Sequence, residues 1–80
     1  MTDYWLPLRA LMAETFHVRE STITPDAVAG DGAWDSLNHV LLMLALEKVL
    51  GVRFTKEEMR EATSVRALLA LIVKAEGQSE

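Results

Sequence analysis

The chain has 80 residues, half of them hydrophobic, and carries a formal net charge of −4 with no cysteine. That is enough for one small core, with roughly 60% of the unfolded surface buried on folding, and it leaves little room for an enclosed substrate cavity framed by a rigid catalytic constellation. The missing cysteines exclude a disulfide framework and a thiolate metal site, and the acidic balance argues against nucleic acid as a partner, because phosphate binding needs a basic face.

The pattern predicts four helices and no strands. Leu8, Leu11, Met12, Thr15 and Phe16 fall at the i, i+3, i+4, i+7, i+8 spacing of one helical face. Pro7 belongs in or near the first turn, where a missing N–H matters least, so the first helix is expected over about residues 4–17. Val18 to Trp34 is a long connection containing Pro25, Gly30 and Gly32. Ile23 and Val28 are its expected anchors to the core; Thr24-Pro25-Asp26 is a turn signal, with room for one helical turn after Pro25.

The second helix is expected over 36–50. Asp35 caps its free N–H groups and Gly51 supplies the left-handed stop. Thr55-Lys56-Glu57-Glu58 is a capping box for a short third helix over 56–61. Thr63 or Ser64 caps a fourth helix over 64–75, whose stripe is Val65, Leu68, Leu69, Ile72 and Val73; Gly77 and the tail are expected to fray. Residues 1–80 are therefore expected to form a single domain. The longest strongly apolar run, Val40 to Leu46, is far short of the ~20 residues of a membrane span, and nothing at the N-terminus reads as a signal peptide, so a cytoplasmic location is expected.

Ser36 is the residue that points to function. It falls at the first helical position, exposed, beside the carboxylate of Asp35, with no base or oxyanion pocket in view. Backbone N–H groups are unpaired there and the helix dipole is positive, so a phosphate on this hydroxyl is stabilised by about 0.3–1 kcal/mol. Such a hydroxyl suits modification by another enzyme better than attack on substrates. His39, one turn on, is expected to be a partly exposed contact of the loop; it does not complete a hydrolase triad, because adjacent turns of one exposed helix cannot give nucleophile, base and orienter their geometry. No catalytic residue and no metal site is expected.

The string Ala33-Trp34-Asp35-Ser36-Leu37-Asn38-His39-Val40 resembles the prosthetic-group site of acyl carrier proteins. The similarity continues through Ala45-Leu46-Glu47, Val52-Arg53-Phe54 and Thr63-Ser64-Val65, and covers about Leu8 to Ile72. It implies an all-α, small four-helix bundle of the acyl-carrier type, itself non-catalytic. It implies further that a phosphopantetheinyl transferase attaches 4′-phosphopantetheine from coenzyme A to Ser36, with Asp35 helping to bind that transferase. The arm would hold acyl groups as thioesters and present them to acyl-loading and acyl-processing enzymes, raising their effective concentration at each site. Carriers of this kind usually act as monomers. A peptidyl or aminoacyl carrier, and an interaction module of the same fold that never receives the arm, are the alternatives.

On the second helix, Leu42, Ala45, Leu46, Val49 and Leu50 are assigned to the core. Ser36, Val40, Met43, Leu44 and Glu47 gather on another side, with Leu37 and Leu41 at its edge. By the resemblance that side docks partner enzymes, so Leu37, Val40, Leu41, Leu44 and Glu47 are the expected contacts, with Glu57 adding charge from the third helix. The family's helix is usually strongly acidic here, whereas this chain has Asn38 and Leu41. The extra leucines either lie against the loop or the neighbouring helix or form an apolar docking patch, and such a patch points to a specialised or secondary-metabolite pathway. Trp34, where a small residue is usual, is expected to pack the loop onto the bundle. Leu46, Phe54, Met59, Ala62, Leu68 and Ile72 are candidates to line a gap for cargo beside the second helix.

Overall fold

A computed structural model describes residues 4–78, with side chains to residue 77. Among these residues the elements are α1 (Trp5–Phe16), a 3-10 turn (Glu20–Thr22), α2 (Ser36–Leu50), α3 (Lys56–Glu61) and α4 (Val65–Gln78), with no strand among them. The α4 helix runs through Gly77, past the end expected at residue 75; the tail beyond Gln78, and Asp3 before α1, lie outside the described residues.

Local chemistry sets the ends of the helices. His17 closes α1 in the left-handed region at φ 59°, a conformation that a short polar or imidazole side chain tolerates. Gly51 closes α2 at φ 70°, and the N–H groups of Gly51 and Val52 both return to the carbonyl of Glu47. Thr55 and Glu58 form the reciprocal capping box at α3. Ser64 caps α4, its Oγ accepting from Ala67 N–H at 3.0 Å.

One cluster holds the helices together. Leu8, Met12 and Phe16 from α1 meet Leu42, Met43 and Leu46 from α2 and Val65, Leu68 and Ile72 from α4. The α4 stripe is rotated from the expected one: Ala75 is buried and Val73 is exposed, because the face that steps through 65, 68, 72 and 75 excludes position 73.

The long loop is ordered mainly by backbone bonds. Thr24 to Ala27 make a turn closed at 3.1 Å, with Pro25 at its second position. The single helical turn precedes that proline and does not follow it, because the chain after Asp26 is extended. There Val28 bridges Ser64, Ala29 N–H donates to Thr63 at 2.7 Å, and Val65 N–H donates to Ala27 at 3.0 Å. Ile23 is buried as expected, but Val28 is 41% exposed, and its neighbours Ala27 and Ala29 supply the packing instead.

Candidate functional site

The approach to Ser36 is built from Asp31 to Asp35. Gly30 and Gly32 take positive φ values of 101° and 54°, which residues with a Cβ rarely adopt. Gly30 N–H reaches the carbonyl of Trp34 at 2.6 Å, and Trp34 N–H returns to Asp31 at 3.0 Å. The indole of Trp34 is buried, its ring centroid 6.0 Å from that of Phe16 on α1. Trp34 therefore packs the loop onto the bundle, as the sequence suggested.

At the tip of α2, Asp35 Oδ1 accepts from Asn38 N–H at 2.8 Å. Asn38 has a second task that the sequence did not reveal: its Nδ2 donates to the carbonyl of Ala33 at 2.7 Å, tying helix to loop. Ser36 is exposed at the first helical residue, at the positive end of the dipole and next to N–H groups that have no intrahelical carbonyl to bond. The position fits a phosphodiester: the hydroxyl is open to solvent, the helix behind it is long enough to carry a field, and its cap is satisfied by a separate residue.

His39 is committed elsewhere. An indole N–H only donates, so the bond from Trp34 Nε1 at 3.0 Å makes Nδ1 of His39 the acceptor. The proton then sits on Nε2, which donates to the carbonyl of Met59 at 2.7 Å. Neither ring nitrogen is left to take a proton from Ser36, and the carboxylate of Asp35 is engaged by a backbone amide. His39 can therefore not serve the serine as a general base. His39 does meet the loop, as expected, but its bond to the α3 residue Met59 was missed. Its place at the head of the series 39, 42, 43, 46, 50 is the signal that would have found it.

That series corrects the facing of α2. Met43, assigned above to the docking side, is completely buried, and Val49, assigned to the core, is 69% exposed. Leu42 and Leu46 are buried as expected, with Ala45 and Leu50 half-buried. Leu37, Val40, Leu41 and Leu44 are all exposed and follow i, i+3, i+4, i+7 on the side opposite the core, at about 100° per residue. No residue from Ser36 to Leu46 is acidic, and none is Lys or Arg. Glu47 is half-buried and turned inward: its Oε2 accepts from Phe54 N–H at 2.7 Å. Glu57 is exposed on α3. Its neighbour Glu58 is held below the ordinary carboxylate range, first by the backbone N–H of Thr55 and then by Lys74, whose Nζ lies 3.1 Å away. The suggested lining residues do not enclose one gap beside α2: Leu46, Ala62, Leu68 and Ile72 are buried in the core, with Phe54 and Met59 packed against it, while Leu46 and Ile72 border a hollow of about 300 Å³ on the α1 side and Ala62 one of about 370 Å³ between α3 and α4.

Comparison with known proteins agrees with this geometry. Residues 7–72 match the family model described as the phosphopantetheine attachment site. The chain is 37% identical over 67 residues to an acyl carrier protein of Treponema pallidum subsp. pallidum, covering 82% of this chain and 86% of the relative. The acyl carrier protein of Treponema pallidum strain Nichols matches to the same extent. The chain belongs to the acyl carrier protein family. Its prosthetic group is accordingly phosphopantetheine, and it carries cargo without catalysing a reaction. Transferases and acyl-processing enzymes are the partners such a carrier serves. Among the described residues no helix is long and apolar enough to cross a membrane.

Proposed function

We propose that Ser36 is the attachment point of the arm and that the carrier serves a specialised pathway through an apolar docking face on α2. The observation that carries the first half is an exposed hydroxyl at a helix tip whose neighbouring histidine and aspartate are both bonded elsewhere. In the attachment step the Ser36 oxygen forms a bond to the phosphorus that bears the pantetheine of coenzyme A. The diphosphate bond breaks, the adenosine bisphosphate leaves, and the serine proton passes to the transferase. The arm's phosphate then rests at the N-terminus of α2, and Asp35 contributes to transferase binding as well as to the cap.

The second half rests on the stripe Leu37, Val40, Leu41 and Leu44, exposed and uninterrupted by charge beside the attachment point. Partners of a strongly acidic carrier helix recognise it with basic side chains; this stripe offers them leucine and valine. Glu57 and the solvent-facing part of Glu47 supply what charge the docking side has. The cargo is an acyl thioester, and the carrier works as a cytoplasmic monomer.

The test is intact-mass measurement after incubation with coenzyme A, Mg²⁺ and a promiscuous phosphopantetheinyl transferase. One phosphopantetheine is expected on the wild type and none on Ser36→Ala. An unmodified wild type, under conditions that load a control carrier, would refute the assignment. For the pathway, condensing and loading enzymes of primary fatty-acid synthesis are expected to turn over the loaded carrier poorly; efficient turnover by them would refute a dedicated role.

A further inference from the structure

Ser36 shares a flank of α2 with Val40, Met43 and Glu47, which follow it at steps of four, three and four residues. Across that flank lie α3 and the segment leading into it. Two hydrogen bonds close the seam between them: His39 Nε2–H to the carbonyl of Met59 and Phe54 N–H to Glu47 Oε2, each 2.7 Å long. They stand eight residues apart on α2, about 12 Å along its axis. Met43, fully buried, lies between them. A chain hung from Ser36 that turns inward on its own side of the helix meets this seam first.

The first bond cannot slacken alone, because Trp34 holds the opposite nitrogen of the His39 ring and is itself packed on Phe16 of α1. The second has an ionised acceptor, which strengthens it, and both are shielded in part from water. Hollows of about 440 Å³ under the loop, about 300 Å³ between α1, α2 and α4, and about 370 Å³ and 30 Å³ between the α3 segment and α4 lie elsewhere, and none of these is lined by residues of both α2 and α3.

Building on the assignment of Ser36 above, we propose that His39 and Glu47 latch α2 to the α3 segment, so that an apolar chain on the arm is kept out of the α2–α3 interior and is presented to partners unsheltered.

Two readouts test this. In the unmodified protein, amide hydrogen exchange at Phe54 and across Met59 to Ala62 is expected to quicken about tenfold in Glu47→Leu and in His39→Ala, and to stay near the wild-type rate in Glu47→Gln, which keeps an acceptor. In the octanoyl-loaded protein, hydroxylamine is expected to cleave the wild-type thioester within about twofold of the rate for free octanoyl-pantetheine, and to cleave it several-fold more slowly in Glu47→Leu, where the chain can enter and water is excluded. Glu47→Leu leaves the His39 bridge intact, so the test stands even if His39→Ala does not fold. A protected wild-type thioester, or exchange and cleavage unchanged in both variants, overturns the latch. Failure to load the arm refutes the Ser36 assignment, and the exchange readout then still decides the latch.

Discussion

The two long helices α2 and α4 are similar in length and opposite in design. The α4 helix buries one stripe, Val65, Leu68, Ile72 and Ala75, and sets Arg66, Lys74 and Glu76 toward water. The α2 helix also buries one stripe, but its far side carries four large apolar residues, Leu37, Val40, Leu41 and Leu44, where the exposed side of α4 has one, Val73, among Arg66, Ala70 and Lys74. Folding asks for a single apolar face, and α4 shows how little more than that suffices in this bundle. The apolar surplus of α2 is the basis of the docking face proposed above, and it begins one residue from Ser36.

Substitutions on the two helices put this contrast to the test. The inner faces are expected to behave alike: Leu46→Ala on α2 and Leu68→Ala on α4 each remove a buried leucine and are expected to cost about 2–5 kcal/mol in urea or guanidinium unfolding. A loss below about 1 kcal/mol at Leu46 would mean that α2 is turned differently from the description above. The caps rank next. Asp35→Ala and Ser64→Ala each strip one side-chain acceptor from a helix start and are expected to cost about 0.5–2 kcal/mol in the same measurement.

The outer faces are expected to differ in binding and not in stability. Leu41→Glu and Val73→Glu are each expected to shift unfolding by no more than about 0.5 kcal/mol. Only Leu41→Glu is expected to weaken the native partner's affinity, read by titration calorimetry; equal affinity in both variants would end the case for an apolar docking face. The smallest effect belongs to α3. Glu58 is held below its ordinary value of 4.5 by Thr55 and Lys74, so its ionised form is favoured in the folded protein. That contribution is fully present above 4.5 and is lost as pH falls through the depressed value. The stability difference between wild type and Glu58→Gln is expected to shrink over that acidic range and to be flat above it.

Much of this architecture was legible in the residues, and the exceptions have a common cause. The α3 box and the Asp35 and Gly51 signals rest on contacts within a few residues, and they appear in the structure where the spacing put them. Ser36 stood out for the same reason. The facing of α2 was harder, because a helix apolar on two sides gives no unique phase; Met43 and Val49 exchanged places as a result. His39 was read as a contact of the loop alone because a histidine is not counted in an apolar stripe, although its ring sits on the core side and is satisfied at both nitrogens. The helical turn for which the sequence left room after Pro25 gives way to a long-range demand. The backbone there is needed for the bridge to Ser64, which no local pattern announces.

That bridge has an evolutionary consequence. Ala27, Ala29, Thr63 and Val65 hold the loop through peptide groups, which every amino acid except proline supplies. At its two bridging positions, Ala27 and Ala29, the loop is thus free to drift in sequence while the attachment serine stays where it is, whereas Ile23, Gly30 and Gly32 in the same segment are tied to the core and to their backbone angles.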